Sequence, residues 1–216
     1  MGLQPFNWSV VVIGYWNLAI LGPGRIAEKV FGLDKGTKVP VMVPIDMTVP
    51  CQVEHPNGKI RVAAHATRLE FSLIRMDYDA LKNAMDCAVK ALRWLPETPV
   101  QAAGFNVNHK TDRPSSAMIK MYVKDDIDHA LGESGYDIAA RSVARTLQYK
   151  TGKLNITVQG DVEHFEFLCN FHRDSKSNKD LIEWLSIPIA DIQGEVTQLL
   201  EKFQLTVEET SHDDAE

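Results

Sequence analysis

Cysteine is scarce in this 216-residue chain: Cys51, Cys87 and Cys169 are the only three, far apart and in no C-x-x-C pair. An odd, scattered set makes neither a disulfide framework nor a thiolate metal site, and a reducing, cytoplasmic setting is expected. Long apolar runs are lacking too. The longest, from Val10, meets Gly14 and Asn17, well short of the roughly 20 residues that a membrane span needs. The opening MGLQPFNWS has no basic n-region and no apolar h-region, and no Ser or Thr where a myristoylation site wants one. Basic excess is also missing. With 23 Lys and Arg against 29 Asp and Glu, the net charge is −6 and the pI near 5.6. That balance disfavours nucleic acid as the main partner, although a local basic face would escape it. Neither G-x-S-x-G, H-E-x-x-H nor a Walker loop is present.

What is present is a globular composition, 44% hydrophobic and 24% charged, ample for a core. Trp8 to Leu21 is β-branched and aromatic and reads as a long strand. Pro23-Gly24 turns it into a short helix over Arg25–Phe31, closed by Gly32. Residues 39–49 are extended but carry prolines, which predicts an edge strand. His55-Pro56-Asn57-Gly58 is a hairpin turn. Arg68–Arg75 and Glu163–His172 alternate at the strand period, the latter setting Phe165, Phe167, Cys169 and Phe171 against His164, Glu166, Leu168 and Asn170. Asp77 or Asp79 caps a helix to about Leu95. Val100–His109 is a further strand, and Ser115 or Ser116 caps a helix running through Ile127. Two strands meet at Thr151-Gly152, and a last helical stretch is broken at Pro188.

The pattern repeats. VVVIGYWN from Val10 matches VQAAGFN from Val100, GKIRV from Gly58 matches GKLNI from Gly152, and LEF from Leu69 matches FEF from Phe165, at offsets of 90, 94 and 96 residues. The fold class expected is therefore α+β: an internal duplication of a β-α-β-β-β-α unit, with largely antiparallel sheets backed by long helices. The first half spans 1–96 and the second 97–204, packed together, and 205–216 is an acidic, disordered tail. One continuous sheet or two facing sheets would serve equally.

Gly22-Pro23-Gly24-Arg25-Ile26-Ala27 fits the G-x-G-x-x-G/A dinucleotide fingerprint, and Asp46 follows at a tempting distance. The intervening helix is short, the next strand holds prolines, and hairpins replace strand–helix alternation. No cofactor is therefore expected, and because His164 and His172 lie too far apart along one strand and His55 and His65 are only two, no metal is expected either. His109, Lys110, Asp112 and Arg113 cluster just past a strand end and are the candidate binding residues, with a plain solvated loop as the alternative. Trp16 joins them as an interface anchor, together with Trp8, Trp94 and Trp184, with core packing as the alternative for each. Phe105 joins them as the wall of a pocket with Phe71 and Phe167. No catalytic residue is assigned.

WSVVVIGYWNLAILGP, LPETPVQAAGFNVNH and NKDLIEWL resemble a sporadically distributed group of bacterial proteins of uncharacterised activity. The resemblance implies a bacterial or phage origin and transfers no functional residue. The expected function is a non-enzymatic interaction protein, a subunit or adaptor with a protein partner or self-association, and no membrane. A small-molecule binder with a pocket between sheet and helix is the first alternative. Nucleic-acid binding on a duplicated sheet is the second, and it needs Lys59, Arg61, Arg68, Arg75, Lys150 and Lys153 on one exposed face.

Overall fold

A computed structural model describes residues 2–46 and 49–208. The chain folds around one nine-stranded sheet: β1 Gln4–Gly14, β2 Val41–Met42, β3 Gln52–Glu54, β4 Ile60–Ala64, β5 Arg68–Leu73, β6 Val100–Thr111, β7 Arg141–Tyr149, β8 Gly152–Gly160 and β9 Phe165–Asp174. All eight ladders are antiparallel, and the strand order is β2-β3-β4-β5-β1-β6-β9-β8-β7. With the short β2 set aside, each half contributes four strands, and the order within one half is the reverse of the other. The β1–β6 ladder joins the halves, so 1–96 and 97–204 share one sheet.

Strand alternation sends Val10, Val12, Phe71, Phe105, Val107, Phe167 and Phe171 to one face, where all are buried. The helices cover that face. α1 (Pro23–Arg25) runs straight into a π-helical stretch, Ile26–Phe31, which Gly32 ends in the left-handed conformation at φ 77°. α2, Tyr78–Trp94, starts at Asp77, whose carboxylate accepts from the Ala80 N–H at 2.6 Å. It buries Leu81, Met85, Ala88 and Leu92 at helical spacing and packs on β1, β4 and β5. α5 (Asn178–Leu185) and α6 (Ile189–Lys202) pair with α2, and Pro188 separates them. The cap of α5 is Ser177, whose hydroxyl accepts from the Asp180 N–H.

Three expectations change. The first strand stops at Gly14, not Leu21. There the Gly14 N–H turns to Thr67 O and the Trp16 N–H to Ala66 O, and Asn17 folds the chain by accepting from the Ala19 N–H. The helix through Ile127 is two helices, α3 (Ser116–Ile119) and α4 (Asp125–Glu133). Between them Tyr122 packs on Phe165 and its hydroxyl donates to Asp161 O, which bends the chain away from a straight helix. At the tail, Leu205 is buried, Val207 bridges Leu3, and the Glu208 carboxylate accepts from the Gly2 N–H. Residues 205–208 are thus tied down, and the rest of the tail lies outside the described residues.

Register also corrects the repeat. If Val62 corresponds to Ile156, as the GKIRV match requires, their partners Phe71 and Cys169 correspond next, and then Val10 and Val107. Gly14 and Gly104 are therefore not equivalent, since Gly14 ends its strand while Gly104 pairs with Val11 in mid-strand. Within β5 and β9, Leu69-Glu70-Phe71 and Phe165-Glu166-Phe167 are out of step by two residues.

Candidate functional site

Alternation along β6 scatters the predicted cluster. His109 points into the apolar face at 3% exposure, edge-on to Trp8 at 5.8 Å, and its Nδ1 has no partner. Burial lowers its pKa to about 4, so the ring is neutral near pH 7. Lys110 projects to the opposite face, its ammonium 5.7 Å from the Phe6 ring centre. Asp112 and Arg113 are exposed beyond the strand. They line a groove of about 650 Å³ with Ser115, Met118, His164 and Thr206. A smaller hollow of about 240 Å³ brings Lys110 to them, beside Gln4 and Glu208. Lys110, Asp112 and Arg113 therefore do share a rim, and His109 does not.

The aromatic candidates go to the core. Phe105 is fully buried, stacked on Phe171 at 4.8 Å and near Trp184 at 6.0 Å. Trp16 is 4% exposed and its Nε1 donates to Val12 O. Trp8 and Trp184 are buried as well. Phe71, Phe105 and Phe167 fill the space that a sheet-and-helix pocket would have needed.

The face opposite the helices is different in kind. No helix packs on it among the described residues, and it is polar and half-buried. Across it the register pairs Thr146 with Asn155, Asn155 with Asn170, Asn170 with Asn106, Asn106 with Ser9, Ser9 with Ser72, Ser72 with Arg61, and Arg61 with Glu54. One polar row thus crosses eight strands, and hydrogen bonds link much of it. Thr146 Oγ1 donates to Asn155 Oδ1 at 2.8 Å, Asn155 Nδ2 to Asn170 Oδ1 at 3.0 Å, and Asn170 Nδ2 to Asn106 Oδ1 at 2.8 Å. Asn106 Nδ2 then reaches Ser9 Oγ at 2.9 Å, and Arg61 Nε pairs with Glu54 at 2.9 Å at the far end.

Each asparagine turns its oxygen toward β7 and its nitrogen toward β1, so three amide dipoles align head to tail and polarise one another. The spacing of about 4.8 Å between strands is what lets identical amides bond in a ladder. Each Nδ2 keeps a second N–H for a partner.

Charge on this face is balanced. Arg61, Arg68, Lys110 and Lys153 are matched by Glu54, Glu70, Glu166 and Asp174 at neighbouring register positions. Arg61 pairs with Glu54, Arg68 with Glu70 at 3.2 Å, and Lys153 with Asp174 at 3.3 Å. His172 also bonds Asp174, and it and Lys153 hold that carboxyl below its ordinary pKa. Of the three remaining cations that a nucleic-acid surface would need, Lys59 is half-buried just before β4, Arg75 pairs with Asp77 at the start of α2, and Lys150 pairs with Asp191 of α6 on the helix side. Among the described residues no group of three His, Cys, Asp or Glu side chains could hold a metal. No helix among them is long and apolar enough to cross a membrane.

The glycine-rich stretch offers no phosphate cradle of the dinucleotide kind. Gly22 lies well past the end of β1, and β2 is a two-residue antiparallel edge strand instead of a parallel neighbour.

No protein-family model matches this chain, and no curated protein does. Among solved structures it is similar to the Methanococcus jannaschii TBP, at 10% identity over 94% of this chain and 98% of that one, with a TM-score of 0.31.

Proposed function

We propose that the chain is a non-enzymatic interaction protein of the bacterial cytoplasm, a subunit or adaptor that binds another protein through the uncovered face of its sheet. One observation carries this reading: a hydrogen-bonded row of neutral amides and hydroxyls on a face whose charges are already paired. Such a surface offers many donors and acceptors without a net field, which suits a polypeptide more than a polyphosphate. The reversed strand order of the two halves and the Val62–Ile156 register further support an internal duplication, with the seam at β1–β6.

The test is capture of partners from a bacterial extract by wild type and by a variant with Ser72→Lys and Thr157→Lys on the open face. A protein held by the first and lost by the second supports the reading. Equal capture by both, or binding of duplex DNA that weakens steeply with salt, contradicts it. A small-molecule reading rests on a different observation, a cavity of about 320 Å³ at the seam where His109, Trp8 and Tyr78 meet.

A further inference from the structure

The two edges of the sheet are not alike. β2 is two residues long and is flanked by Pro40 and Pro44, a blunted edge. β7 runs nine residues without proline, glycine or bulge, in unbroken register with β8 from Arg141–Gly160 to Tyr149–Gly152. Its turn holds two residues, Lys150 and Thr151, so the flanking pair Tyr149–Gly152 carries ladder hydrogen bonds. The odd-numbered residues of β7 therefore bond β8. Ser142, Ala144, Thr146 and Gln148 turn their N–H and C=O groups outward, and all four are exposed.

Arg145 confirms the direction, because its Nη1 curls over the edge to donate to Ala144 O at 2.7 Å. Arg141 is paired with Asp128 at 2.7 Å, which leaves Arg145 as the cation of this strand without a carboxylate among the described residues. Val143, Arg145 and Leu147 share the helix side of the strand, and Leu147 is 41% exposed.

We infer that β7 is a strand-addition site for an extended segment of a partner protein, apolar opposite Val143 and Leu147 and acidic opposite Arg145. A partner carboxylate draws the guanidinium from Ala144 O, and so frees that carbonyl for the incoming strand while compensating the charge. Main-chain bonds to the four outward residues give the affinity, and the alternate side chains give the choice of sequence. A second copy of the chain fits worse, since antiparallel self-pairing centred on β7 sets Arg145 against Arg145. This rests on the protein-binding reading but uses the outward main chain of β7, where the amide row ends at Thr146, instead of the side chains of the row.

The probe is the heptapeptide TVTDTVT, capped at both ends, titrated into the full chain and followed by amide NMR. Expected are shifts and slowed exchange at Ser142, Ala144, Thr146 and Gln148, with TVTKTVT weaker by at least about fivefold. Arg145→Glu should reverse that order. Thr146→Pro removes an outward N–H and should abolish binding, as should N-methylation of the peptide on its protein-facing residues, which leaves the chain itself untouched. Failure of the peptide to bind, or equal binding of the Asp and Lys peptides, overturns the inference. So does a dimer in light scattering that Thr146→Pro turns into a monomer, because the edge then belongs to a second copy. The open-face lysine variant should still bind the peptide, so this result and that of the partner capture fail separately.

Discussion

Asn170 donates its side-chain N–H to Asn106 Oδ1 at 2.8 Å, across the β6–β9 ladder and at the middle of the polar row. The bond lies between aligned amides, each of which also bonds its other neighbour. Asn106→Ala and Asn170→Ala should each cost about 1 kcal/mol in urea unfolding, the ordinary worth of a hydrogen bond open to water on one side. The double variant should show coupling of roughly 0.5–1.5 kcal/mol, because each single change also weakens the next amide in the row. Strict additivity would mean that the amides are neighbours without being a network.

The glycines separate into those that packing demands and those it does not. A Cβ on Gly152 would sit 2.5 Å from His172 O and 2.8 Å from the Trp184 ring. Gly152→Ala should therefore destabilise the fold by roughly 1–3 kcal/mol, as overpacking in a core does. A Cβ on Gly22 meets nothing within 4 Å, and its φ is −68°. Gly22→Ala should leave thermal stability unchanged or slightly raised. It should also leave partner capture intact.

His109 sets a pH dependence. Its folded pKa is about 4 against 6.5 in the unfolded chain, with burial as the cause. Between these values the unfolded state binds the extra proton, so stability is full above pH 6.5 and falls as pH drops toward 4, by roughly 3 kcal/mol at most. Burial lowers the pKa of His55 and His65 in the same direction. Unfolding free energies of wild type and His109→Phe across pH 4–7 isolate the single group: the value for wild type minus that for the variant should fall, by up to roughly 3 kcal/mol, as the pH drops. A constant difference would contradict a buried neutral imidazole.

Paired charge is what keeps the open face from attracting a polyanion. Glu54→Gln, Glu70→Gln and Asp174→Asn together release Arg61, Arg68 and Lys153 from their partners. The triple variant should bind duplex DNA at low salt, with affinity falling as salt rises in proportion to the phosphates neutralised. Wild type should not bind under the same conditions. Binding by wild type would show that the pairs do not offset the cations.

Much of the scaffold was legible in the sequence, for local reasons. β5 and β9 alternate cleanly, Asp77 caps α2, Asn57-Gly58 makes a turn and Pro188 breaks a helix; each is a short-range effect. Trp16 and Ile20 look like strand residues, yet the first strand ends at Gly14. Asn17 decided otherwise, through a bond within its own turn. The candidate site was less legible. Residue type favoured Phe105 and Trp16, yet large aromatics at strand spacing serve a core first. The amide row joins Ser9, Asn106, Asn155 and Asn170, which are distant in sequence and meet only through register. The local clue was weak but real: asparagine is disfavoured inside strands, and Asn106, Asn155 and Asn170 all occupy mid-strand positions on the polar side.

Hydroxyl-radical and lysine footprinting of the chain, free and bound to its captured partner, asks most directly which surface is used. Protection is predicted at Lys110, Lys153, His172 and the row from Asn155 to Ser9. Protection confined to Lys82, Lys179 and Lys202, on the helices behind the sheet, would contradict the open face as the binding surface.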